Sequence, residues 1–128
     1  MSGNIRFSLK LAILLIVAGF LSSCGDDEAT DKGAAWLQEN LAVPVNSGWK
    51  IQEVSVIGKG KLDILVDMYS ATAANKLNSL SAMDKGEVAR LVCPIRGTEF
   101  WEIVGNKATV TVKLASMGKT QATAICRR

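Results

Sequence analysis

Apolar residues fall into three regimes along this chain. From Leu11 to Leu21 they run without a break, as LAILLIVAGFL. Between Asp31 and Cys93 they recur at three- and four-residue spacings, interrupted by one alternating stretch, Trp49–Met68. After Pro94 they alternate every second residue, most regularly where Val110, Val112 and Leu114 interleave with Thr109, Thr111 and Lys113. The first spacing is that of a helix face and the second that of a half-buried strand.

These patterns predict an order of elements. A helix starts near Asp31, whose carboxylate can cap it, carries Trp36, Leu37 and Leu41 on one face, and ends before Pro44. After an Asn46-Ser47-Gly48 turn, a hairpin follows. Trp49–Ile57 forms its first strand, with a slip of alternation near Glu53 that suggests a bulge, and Gly58–Lys61 forms the turn. In the second strand Leu62, Ile64, Val66 and Met68 share one face, with Asp63, Leu65 and Asp67 on the other. Ser70–Cys93 reads as helical, with Thr72 as a cap and Ala73, Leu77 and Leu80 on one face. A break is expected near 81–86, then a restart at Asp84 that puts Val88, Leu91 and Val92 toward the core. Glu99–Val104, Ala108–Ala115 and Thr120–Cys126 read as a three-stranded meander. The expectation is an α+β domain ordered α-β-β-α-β-β-β, an antiparallel sheet of about five strands with helices packed on one face.

The unbroken apolar run needs separate treatment. Eleven residues at 1.5 Å each make about 16 Å of helix, roughly half of a ~30 Å hydrocarbon core. Preceded by Arg6 and Lys10 and no acid, it has the form of a signal peptide rather than a membrane span. Leu21-Ser22-Ser23-Cys24 then resembles the lipobox of bacterial lipoproteins. The resemblance implies cleavage between Ser23 and Cys24, and lipidation of the Cys24 thiol with acyl chains such as palmitate. By the enterobacterial rule, Gly25 in place of aspartate after the cysteine implies the outer rather than the inner membrane, facing the periplasm. The expected organisation is 1–23 signal peptide, 24–33 lipidated cysteine and polar tether (GDDEATDKG after Cys24), and 34–128 globular domain.

Composition narrows the chemistry. Of 128 residues none is histidine, which removes the commonest general base and most zinc sites. Without Arg6 and Lys10 the mature part has 13 basic against 12 acidic residues, too even a balance to suggest nucleic acid. Beyond the inner membrane, Cys93 and Cys126 form a natural disulfide pair. No C-x-x-C motif marks a redox site. Gly118-Lys119-Thr120 lacks the earlier glycine of a phosphate-binding loop, since Lys113 stands there. On strands, Glu99 and Glu102 would face opposite ways, and Asp63 and Asp67 would stand about 13 Å apart.

No catalytic residues, metal ligands or cofactor are expected. Phe100 and Trp101, neighbours on an expected strand, would put one ring outward near Arg96 and Lys107, a possible interaction surface. The sequence therefore points to a lipid-anchored, non-enzymatic envelope protein whose partners are the membrane and another envelope protein. A binding module for a small ligand or glycan, using the concave face of the sheet, is the alternative, and a small enzyme the third. Replacing Cys24 with serine is expected to abolish maturation at that position and release the protein from membrane pellets. Mass spectrometry of the N-terminal peptide reads the outcome.

Overall fold

The computed structural model describes residues 28–106 and 108–128. Ser23 and Cys24, the expected cleavage and lipidation positions, lie outside the described residues. The elements run α1 (Glu28–Asn40), β1 (Trp49–Gly58), β2 (Lys61–Met68), α2 (Ala71–Asn78), α3 (Ala82–Arg90), α4 (Glu99–Val104), β3 (Thr109–Ser116) and β4 (Lys119–Cys126).

The fold is α+β, but among the described residues the sheet has four strands rather than five and is mixed rather than antiparallel. Two hairpins, β1–β2 and β3–β4, lie side by side in the order β1-β2-β3-β4, and the joining pair β2–β3 is parallel. Parallel neighbours need a long crossover, which residues 69–108 supply through α2, α3 and α4. The predicted first strand of the meander, Glu99–Val104, is helix α4. Its apolar residues favour a strand locally, yet tertiary burial decides otherwise. Phe100 and Trp101 are 0% and 4% exposed, a shared burial that neighbours on a strand facing one core could not achieve.

The Trp49–Met68 hairpin forms where expected. Pairing steps from Ile51↔Val66 to Glu53↔Leu65, leaving Gln52 as the extra residue of a bulge. Without that residue Val54 and Val56 would point away from the face shared by Trp49 and Ile51.

Helix boundaries shift from the expected ones. The first helix begins at Glu28, so residues 28–33 of the expected tether belong to the domain. Thr30 is buried, and its Oγ1 accepts a hydrogen bond from the Gly60 amide at 3.1 Å. The Gly60 carbonyl in turn accepts from the Thr109 amide at 2.7 Å, so one turn ties α1 to β3. Ser70 and Ser81, not Thr72 and Asp84, cap α2 and α3, accepting from the amides of Ala73 (3.3 Å) and Asp84 (3.2 Å). The break falls between Asn78 and Ala82. With those starting points Ala74, Leu77, Ala89 and Val92 enter the core, while Leu80 and Leu91, expected inside, are exposed.

One cluster joins the helices to a single face of the sheet. Its centre is Leu62, Ile64, Val66, Val110, Val112 and Leu114, all fully buried, with Leu37, Phe100 and Val92 above them. On the opposite face Asp63 pairs with Lys113 at 2.9 Å.

Close approach of α1 to α4 depends on Gly33. A Cβ there would lie 2.3 Å from Val104 Cγ1 and 3.3 Å from Phe100 Cε2. Gly33→Ala should therefore destabilise by about 1–3 kcal/mol, despite the ~1 kcal/mol that alanine otherwise gains inside a helix. Gly86, in the middle of α3, is the control: a Cβ would meet only the Thr123 carbonyl oxygen at 4.0 Å. Gly86→Ala should stabilise by about 0.5–1 kcal/mol. Thermal unfolding of the two variants should move Tm in opposite directions.

Candidate functional site

A groove of about 830 Å³ opens at the end of the sheet where β1 starts and β2 finishes, between the 44–48 loop, α2 and α3. Trp49 and Leu77, nearly buried, reach its floor. Tyr69, Leu80, Val88 and Leu91 contribute its exposed or half-buried apolar surface. Lys76 is the one charged side chain among the described residues lining it.

Local chemistry holds the rim in shape. Gly48 has φ of 75°, and its carbonyl accepts from the amides of Tyr69 (3.0 Å) and Ser70 (3.4 Å). A Cβ on Gly48 would stand 2.5 Å from that of Ser70, so the loop passes where only glycine fits. Ser47 Oγ accepts from the Trp49 amide at 3.3 Å. With Ser70 Oγ engaged in capping α2 and Ser79 Oγ donating to the Lys76 carbonyl at 2.7 Å, these lining hydroxyls are committed to the backbone. The lining carries no carboxylate and no thiol. What it offers chemically is apolar burial beside a single cation, with the Asn46 amide and the Tyr69 and Thr72 hydroxyls as its other polar groups.

The residues singled out from the sequence lie elsewhere. Cys93 and Cys126 are joined as expected, with Cα atoms 5.4 Å apart. Phe100 and Trp101 do not form an exposed patch. The rings stack edge-on to each other at 5.0 Å, Trp36 lies 5.8 Å from Phe100, and Trp101 Nε1 donates to the Pro94 carbonyl at 3.3 Å. The helical conformation of 99–104 is what turns both inward. Arg96 is exposed, in a second cleft near the disulfide, and Lys107 lies outside the described residues. Glu99 and Glu102 share the first turn of α4, both exposed. Among the described residues no group of three metal-ligating side chains comes together, and no helix is long and apolar enough to cross a membrane.

The groove residues were not anticipated. Tyr69 sits between a strand and a helix cap, where no periodicity distinguishes it, and Leu80 and Leu91 carried the spacing of core positions. No known protein family, curated protein or solved structure matches this chain.

The disulfide pins the segment after α3 to the end of β4. Closing a loop of 33-residue separation should contribute about 4 kcal/mol on a chain-entropy basis. Cys93→Ser combined with Cys126→Ser is expected to lower stability by about 2–5 kcal/mol in denaturant titration. Reduced wild-type protein should unfold at nearly the same midpoint as the double variant.

Proposed function

We propose that the mature chain is a lipid-anchored protein of the bacterial cell envelope, facing the periplasm from the outer rather than the inner membrane. It acts as a non-enzymatic interaction module that grips an apolar segment of an envelope partner protein. The observation that carries this reading is the groove itself, an apolar cleft with Trp49 and Leu77 at its floor, Tyr69, Leu80, Val88 and Leu91 along its walls and Lys76 as its charged group.

The lining supports a specific partner chemistry. Trp49 and Tyr69 are side chains of the type that dominate interface energetics, and they stand beside aliphatic Leu80, Val88 and Leu91. Lys76 selects a segment that carries a carboxylate next to its apolar anchors. A small apolar acid is the second reading, favoured by the volume, which falls within the ~300–1,000 Å³ of ligand sites. Such a ligand would occupy the groove and not the sheet, whose helical face is filled by the core.

Site-specific photocrosslinking in intact membranes tests the proposal. A crosslinker at Leu80 should capture one discrete protein, one at Thr123 on the open face of the sheet should not, and Lys76→Glu should cut the Leu80 yield about tenfold, the factor for ~1.4 kcal/mol. Equal yields from both positions, or a yield insensitive to Lys76→Glu, would refute docking in the groove. A small molecule retained by the purified protein and displaced by Lys76→Glu would move the assignment to the second reading.

A further inference from the structure

We infer that the arginine cleft beside the disulfide is a docking surface for the phosphate groups of anionic phospholipids in the membrane that holds the chain. The inference rests on the reading of Cys24 as lipidated.

The cleft, about 580 Å³, is lined by Glu87, Arg90, Ile95, Arg96 and Arg127, with Cys93 and Leu91 between them. The Cys93–Cys126 bond creates it by bringing the segment after α3 against the end of β4, so that Arg96 and Arg127 meet from distant parts of the sequence. Arg90 is committed to Glu87. Arg96 and Arg127 are exposed and have no ion-pair partner among the described residues. Arg96 sits at the second position of a turn closed by the Thr98 amide to the Ile95 carbonyl at 3.2 Å, with Gly97 next at φ of 80°. Thr98 Oγ1 also donates to the Ile95 carbonyl at 2.7 Å, so the turn is braced.

That turn presents an apolar side chain beside the guanidinium groups. Ile95 is 76% exposed, and neighbouring Leu91 is 64% exposed. Guanidinium forks match phosphate oxygens in two-point contacts, and a flanking aliphatic group can enter the headgroup layer. Position selects lipid over a soluble anion. Gly60, bonded to Thr30 of α1, lies next to Lys61, which pairs with Thr109, and Val110 pairs with Cys126. The start of α1 and the cleft are thus at the same end of the sheet, with the cleft two strand spacings, about 10 Å, across from β2. Four residue steps between Cys24 and Glu28 reach at most about 14 Å. A surface held that close to a bilayer meets headgroups at high effective concentration, so two free arginines suffice where they would not in solution. Asp26 and Asp27 of the tether are acidic, and Glu28 pairs with Lys32 at 3.1 Å.

The test uses mature, lipidated full-length protein with a solvent-sensitive fluorescent amino acid at Ile95, inserted into phosphatidylcholine vesicles with or without phosphatidylglycerol. The anionic lipid should shift emission to the blue, and 1 M salt, where the screening length is about 3 Å, should reverse the shift. Arg96→Gln with Arg127→Gln should weaken docking about 30-fold, while Arg→Lys at both positions, which keeps the charge and loses the two-point fork, should weaken it less. Equal emission in both vesicle types, from protein that floats with them, would overturn the inference and leave the lipid anchor standing. Protein that does not float, with an unmodified Cys24 peptide, would instead remove the anchor itself. Inorganic phosphate producing the same shift without vesicles would reassign the cleft to a soluble anion.

Discussion

The parallel contact between β2 and β3 is the constraint on which the remainder of the molecule depends. It sets Leu62, Ile64 and Val66 beside Val110, Val112 and Leu114, six fully buried aliphatic side chains on adjoining strands. At ~25 cal/mol per Å² of apolar surface removed from water, such a row is a contiguous driving force at the centre of the core. Parallel pairing brings a topological requirement with it. The chain must leave the sheet after Met68 and return at Thr109 in the same direction, and α2, α3 and α4 exist on that return path. Their inner faces then roof the strands, and Ser70 and Ser81 fix where α2 and α3 begin.

Both clefts arise from how that roof ends. Where α2, α3 and the 44–48 loop meet imperfectly, Trp49 and Leu77 are left at the floor of an apolar groove. Next to it, the path from α3 toward α4 is drawn to the edge strand by the Cys93–Cys126 bond, and a braced turn carries Ile95 and Arg96 outward. The two surfaces meet at Leu91 and differ in chemistry, one apolar with a lone lysine and the other cationic with an aliphatic rim.

Much of the sheet was legible because two-residue alternation has few physical interpretations. The faces of Leu62–Met68 and Val110–Leu114, the turns at Lys59-Gly60 and Gly118, and the slip beside Glu53 all appear where the pattern put them. Helix phase was less legible. Leu80 falls in the break after α2 ends at Asn78, and Leu91 falls at the C-cap of α3, so both lie on the groove wall while Leu77 and Val92 keep their places in the core. Glu99–Val104 was misread because Phe, Trp, Ile and Val favour a strand, whereas Gly33 on a distant helix provides the space that α4 fills. Nothing within six residues encodes that space.

By itself, then, the sequence determined the features that local chemistry controls. These are the α+β class, the hairpin strands and their inward faces, and the pairing of two cysteines. Tertiary structure decided the parallel join of the hairpins, the helical state and burial of Phe100 and Trp101, and the assembly of both clefts. Those outcomes depend on contacts between residues tens of positions apart, such as Gly33 with Val104 or Leu62 with Val110, and a linear pattern contains no term for which distant surfaces meet.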